Sequence, residues 1–417
     1  MEVFDIVGVL LTLAAIFGWI NHRYLKLPNT IGLMLMSLGV SVIIIIVGQF
    51  VPSLVENGRH FVEGIDFNEA LMQVMLSYLL FAGALHVNLS HLTEQGRIIG
   101  TLATFGVVIS TFLIGTIMFY LLPLFGLEFR YIDCLLFGAL ISPTDPVAVL
   151  GIIKTTGAPK TLETKITGES LFNDGVGVVV FLALLGISQG QDASAAFIGK
   201  LFAVEVLGGI VFGLVIGYIG FRLLKSMDNY QIEVIITLAM VTGGYSLAQH
   251  LHISGPLAMV VAGLMIGNQG RTLAMSDTTR QHLDKFWELI DEGLNAVLFV
   301  LIGLELMILQ IEPKYLVIGL IAILIVLGAR LVAVTIPVKI LQRFREFSPK
   351  VIRILTWGGL RGGISVALVL SLEKGEVRDV FLTVTYVVVI FSIAVQGLTL
   401  KYLFDPKPAG GGDLGKH

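Results

Sequence analysis

Residues Thr167–Gly177 read TGESLFNDGVG and place Glu169, Ser170, Asn173 and Asp174 inside an apolar run from about Ile166 to Ile187. That run is long enough to cross the apolar core of a bilayer, ~30 Å thick. On a helix Ser170 and Asp174, four residues apart, share one face, and Glu169 and Asn173 share the next. Ionisable groups at such depth are costly and mark ion or proton pathways. The stretch reads as the cation- and proton-binding end of a transporter, in an all-α polytopic membrane protein.

Composition agrees. Of 417 residues 55% are hydrophobic and only 14% are charged, against roughly a quarter in average soluble domains. The net charge of -3 and the lack of a basic block give no sign of a nucleic-acid partner. One cysteine, Cys134, excludes an internal disulfide framework and a cysteine-rich metal site. The first run, Val3–Ile20, follows acidic Glu2 and has no small-residue cleavage pattern, so it reads as a retained helix.

Apolar runs of spanning length fall near 3–20, 30–50, 69–88, 98–123, 131–153, 165–187, 196–222, 230–250, 255–268, 286–309, 314–338, 351–372 and 379–403. Thirteen spans put the termini on opposite sides. With the loops at 21–28, 89–97, 154–165, 222–229, 269–285 and 339–353 and the tail on the cytoplasmic side, that side holds 19 of the 27 Lys and Arg residues. Arg59, Arg130, Lys200, Lys314, Lys374 and Arg378 face the other side, and Arg330 and Arg361 lie within runs. This bias sets the N-terminus outside and the C-terminus in the cytoplasm, with the chain in the plasma or inner membrane. Residues 405–417 read as a flexible tail.

Two runs are interrupted. Ser142-Pro143-Thr144-Asp145-Pro146 breaks the fifth, because its two prolines remove amide donors and clash with the preceding turn. Gly358-Gly359-Leu360-Arg361-Gly362-Gly363 breaks the twelfth. Discontinuous helices at corresponding places in two halves point to the site of a secondary transporter. The two runs cross in opposite directions, as an inverted repeat with two discontinuous crossing helices requires. Depth adds weight. Asp145 lies nine residues before Lys154, Asp174 nine after Lys165, Arg330 nine before Lys339 and Arg361 eight after Arg353. At ~1.5 Å per helical residue, all four sit ~12–14 Å from the cytoplasmic face.

Asp174 is the expected carboxylate that exchanges a proton for a metal cation. Hard monovalent cations take oxygen ligands, which Asp145, Ser170, Asp174 and carbonyls around Thr144 supply. Glu169 and Arg330 read as a buried pair joining the sixth and eleventh spans, with Arg361 as the competing partner for Glu169. Asn173, a neutral amide where a second carboxylate would fit, favours one proton per cation and electroneutral exchange. Glu305 and His86 read as packing or interfacial residues. Glu288, Asp291 and Glu292 read as acids at the start of the tenth helix, complementing its dipole. His250, His252 and His282 are weak signs of a pH sensor.

GESLFNDG, together with SPTDPVAV and GGLRGGISVAL, resembles the sodium/proton exchangers of the cation:proton antiporter-1 family, above all the bacterial NhaP-type members. The likeness covers essentially every span. It implies electroneutral exchange of Na+ or Li+ (sometimes K+) for H+, with no cofactor. It also implies a homodimer in which a core moves against a scaffold, an elevator-like cycle. Here residues 1–97 and 188–310 would be scaffold, dimerisation and linker helices, and 98–187 and 311–404 the core. Carried over by motif, Thr144, Asp145, Ser170 and Asp174 are the implied ion site, supported by Asn173. Glu169 with Arg330 is the implied buried pair, and Arg361 belongs to the second break. Without a long tail, control by a soluble C-terminal domain is not expected.

Three other readings compete. A K+/H+ antiporter would share this fold. An intramembrane aspartyl protease would use Asp145 and Asp174 as a dyad, but FNDG is not a GxGD context and Glu169, Arg330 and Arg361 have no work in hydrolysis. A passive cation channel would need no opposed helix breaks.

Overall fold

A computed structural model of the chain describes residues 3–65, 67–145, 149, 160–191, 194–309, 312–343 and 350–403. Pro146, Lys154, most of the expected fifth-span second half, positions 344–349 of the loop at 339–353 and the tail at 405–417 lie outside the described residues. Among the described residues there is no β-strand. Eight helices there are long and apolar enough to cross a membrane: Phe4–Leu25, Asn29–Val47, Gly96–Phe125, Leu162–Ser188, Gly199–Lys225, Tyr230–His250, Pro313–Leu341 and Glu376–Gly397. Shorter apolar helices include Leu76–Leu85, Tyr131–Ile141, Gly255–Met265 and Gly363–Leu370. The protein is an all-helical, multi-pass membrane protein.

Local sequence starts and stops these helices. Asn88 accepts from the amides of Ser90 and His91, Ser254 from Leu257, and Ser276 from Thr279, each satisfying amides left free at a helix N-terminus. Pro256 follows Ser254 in the first turn, where its missing amide costs nothing. Gly126, at φ 75°, ends the Leu122–Phe125 turn in the left-handed region.

Several expectations shift. The helix expected from residue 286 begins at Asp277, because Ser276 caps it there. Glu288, Asp291 and Glu292 therefore lie three to four turns inside it, beyond the reach of its N-terminal dipole. Lys165, expected at the end of a loop, is buried within the Lys160–Ser188 helix. The stretch after residue 51 carries an amphipathic helix, Pro52–Glu63, started by a proline in its first turn. Glu305 is 2% exposed and so lies inside the bundle.

The buried apolar side chains form two clusters. One joins Ile31, Phe137, Phe181, Phe299, Val334 and Phe381; the other joins Phe81, Tyr245, Met259 and Trp287. The Lys160–Ser188 helix contributes Ile166, Val178 and Phe181 to the first and Leu171 to the second. The helix that carries Glu169, Ser170, Asn173 and Asp174 thus lies where the two clusters meet. Leu207, Val211, Leu214 and Tyr218 are exposed along another helix, a surface suited to lipid, where apolar exposure carries no penalty.

The Tyr131–Ile141 helix reaches the site because it packs closely on the Val107–Leu121 helix. Any β-carbon at Gly138 would overlap the Thr111 carbonyl oxygen. Gly138→Val should therefore lower the melting temperature in detergent, at a cost of about 1–3 kcal/mol from overpacking. An unchanged melting curve would mean that these helices have slack between them.

Candidate ion-binding site

The first break follows the Tyr131–Ile141 helix, and the second separates Val351–Trp357 from Gly363–Leu370. The two breaks bond to each other. The Asp145 amide donates to the Leu360 carbonyl at 2.7 Å. Arg361 Nη1 donates to the carbonyls of Ser142 at 2.5 Å and Pro143 at 2.8 Å. A helix that stops inside a membrane leaves carbonyls unpaired and a partial negative charge at its C-terminus; a guanidinium meets both needs. In return, the Asp145 carboxylate rests where a β-carbon of Gly362 would be, at the start of the Gly363–Leu370 helix. Only glycine admits it there.

The unbroken Lys160–Ser188 helix closes on the first break. Asn173 clamps Thr144 twice: Nδ2 donates to Thr144 Oγ1 at 2.8 Å, and Oδ1 accepts from the Thr144 amide at 3.3 Å. The hydroxyls of Thr144 and Ser170 are 3.0 Å apart. Gly177 leaves room for the Pro143 ring. Asn173 is thereby committed to holding the break in place.

Asp174 is 5% exposed and close enough to Asp145 for the two to interact electrostatically. Both line one cavity of about 740 Å³ with Thr144, Thr167 and Gly362. Ser170 does not line this cavity; it stands behind Thr144. The cavity's lining reaches the surface at exposed Lys26 and Asn29, by the start of the Asn29–Val47 helix, and at exposed Lys401, which mark its mouth. Among the described residues no three His, Cys, Asp or Glu side chains gather to hold a metal ion. The oxygens here come from two carboxylates with hydroxyls beside them, a set suited to a hard monovalent cation.

Glu169 pairs with Arg330 and not with Arg361. Arg330 Nη1 and Nη2 meet the two carboxylate oxygens at 2.5 and 2.9 Å, with both side chains buried. Arg330 also donates to the Leu355 carbonyl, at 3.3 Å from Nε and 3.2 Å from Nη2. The pair ties three helices together beside the site.

Sequence reasoning missed Thr167, Asp291, Glu292 and Asn295, all of which line the cavity. Asn295 Nδ2 donates to Asp291 Oδ1 at 3.1 Å, one turn away. Their spacing of four was visible, but the helix start expected nearby assigned the acids a different role.

A half-buried Asp145 at two bonded helix breaks, with buried Asp174 on the unbroken helix beside it, defines a membrane ion carrier. Comparison with known proteins agrees. The family model described as "Sodium/hydrogen exchanger, transmembrane" matches residues 10–405. The chain is 51% identical over 402 residues to the Na+/H+ antiporter NhaP of Pseudomonas aeruginosa, covering 95% of each. It is 35% identical over 388 residues to the Na+/H+ antiporter NhaH of Halobacillus dabanensis, covering 91% of this chain and 92% of that one. The solved structure of the sodium proton antiporter MjNhaP1 from Methanocaldococcus jannaschii at pH 8 has the same fold. It gives a TM-score of 0.76 at 20% identity, over 97% of this chain and 98% of that one. The chain belongs to the sodium/hydrogen exchanger family and is of the bacterial NhaP type. It is a secondary transporter and not an enzyme, which removes the protease reading.

Removing one partner of a buried ion pair strands the other charge, at a typical cost of about 3–5 kcal/mol. Arg330→Ala should therefore lower thermal stability in detergent far more than the double change Glu169→Gln with Arg330→Met. Equal losses would show that the pair contributes little beyond its packing.

Proposed function

We propose that the protein exchanges Na+ or Li+ for H+ across the inner membrane, one for one, with Asp174 as the seat that cation and proton share in turn. One observation carries this reading: Asp174 and Asp145 line a single cavity beside the Thr144 hydroxyl, at a broken helix. Burial disfavours an ionised carboxylate and a bound cation favours it, so either occupant displaces the other. Asp145 and Asp174 would hold the ion, with Thr144 and Ser170 shaping the oxygen shell behind them. Asn173 would keep the break in register. Glu169 with Arg330, and Arg361, are fixed charges that do not enter the exchange.

The wider organisation belongs to the same proposal. Thirteen spans form an inverted repeat, in which the fifth and twelfth cross at their breaks. The N-terminus lies outside and the C-terminus in the cytoplasm, so the cavity opens inward. Residues 98–187 and 311–404 form a core that shifts against the scaffold of 1–97 and 188–310, in a homodimer.

Proton movement in everted vesicles, on addition of Na+, Li+ or K+, tests the central claim. Wild type should respond to Na+ and Li+, and Asp174→Asn should be silent while still reaching the membrane. Full exchange by that variant would remove Asp174 from the mechanism. Response to K+ alone would reassign the cation. Purified protein in liposomes should carry no net current under opposed Na+ and H+ gradients; a steady current would overturn the one-for-one ratio.

A further inference from the structure

The helix that lines the cavity with Asp291, Asn295 and Leu298 ends in a second polar group, Glu305. Fourteen residues separate Asp291 from Glu305, which places them within roughly 40° of one bearing and ~21 Å apart along the axis. Glu305 lies at the end of the bundle away from the cavity mouth. Lys26–Thr30 frame that mouth, whereas near Glu305 the Ser41 hydroxyl donates to the Gly303 carbonyl at 2.8 Å and Arg59 Nε to the Met307 carbonyl at 2.9 Å. Buried Leu298, Leu301 and Ile302 separate the two levels.

Glu305 is 2% exposed and Tyr386 1%. Glu305 Oε2 and the Tyr386 hydroxyl each lack a hydrogen-bond partner. An unmatched buried polar atom costs about 1–3 kcal/mol, so two at one place call for a compensating role. The side chains interact electrostatically with each other, and Glu305 does so with half-buried Arg378. They stand on separate helical segments, Glu305–Ile308 and Glu376–Phe391. In the reading above the first belongs to the scaffold and the second to the core, so relative motion of the two bodies would open the space between them.

We propose that Glu305 and Tyr386 form a second station for the monovalent cation, on the side opposite the cavity, used when Asp174 faces that side. A carboxylate and a phenol oxygen are hard donors of the type Na+ takes. Arg378 balances the carboxylate while the station is empty and the path is closed. This inference rests on the exchange cycle proposed above and adds to it the place where the ion is held on the far side.

The test measures half-saturating Na+ separately from each side, in right-side-out and everted vesicles. Glu305→Gln should raise the far-side value about tenfold, the loss expected from one charged ligand, and leave the cavity-side value unchanged. Glu305→Asp should recover most of the loss, and Tyr386→Phe should show a smaller rise on the same side. Equal changes on both sides, or none, would overturn the station while leaving Na+/H+ exchange intact. If Glu305→Gln fails to assemble, Tyr386→Phe alone decides by the same asymmetry. Failure of the wild type to exchange Na+ for H+ would instead sink the underlying reading.

Discussion

A bilayer interior offers no water to a backbone carbonyl, so a helix that stops there must find its partners within the protein. The bonds between the two breaks answer that demand. Arg361 covers the carbonyls of Ser142 and Pro143, and the Asp145 amide finds the Leu360 carbonyl. The charges are exchanged in the favourable sense, cation to a helix C-terminus and carboxylate to the start of a helix. Without this reciprocity neither interruption would be stable, and Asp145 would have no fixed place beside Asp174.

The charges around the site fall into two kinds. Glu169 and Arg330 satisfy each other in a bidentate pair, with the Leu355 carbonyl taking further donors. Arg361 is held by backbone carbonyls. None of Glu169, Arg330 and Arg361 lines the cavity that Asp145 and Asp174 line. Asn173, bonded twice to Thr144, belongs with the fixed set. The cavity's own charged residues are Lys26, Lys401, Asp291 and Glu292 together with the two aspartates, Asp145 and Asp174.

The Lys160–Ser188 helix is the common member of these arrangements. Its polar residues face the first break and Arg330, and its apolar residues enter both buried clusters. The Asp277–Leu304 helix plays the complementary part, with acids facing the cavity and Glu305 beyond its far end. In the proposed cycle these two helices would supply oxygen groups on both sides of an apolar layer at Leu298, Leu301 and Ile302.

The helical, membrane-spanning class was legible in the sequence because composition and run length follow directly from the solvent a span must meet. The breaks were legible too: Pro143 lacks the amide a helix interior needs, and the four glycines flanking Leu360 and Arg361 weaken a helix there. Asp145, Asp174, Glu169 and Arg330 stood out because charge in an apolar run is costly wherever it folds. Which arginine pairs with Glu169, which hydroxyl faces the cavity, and that Asp291 and Asn295 line it were decided only by the tertiary structure. Those relations depend on how helices distant in sequence are rotated and set against one another, and side-chain shape complementarity across the whole bundle governs that rotation.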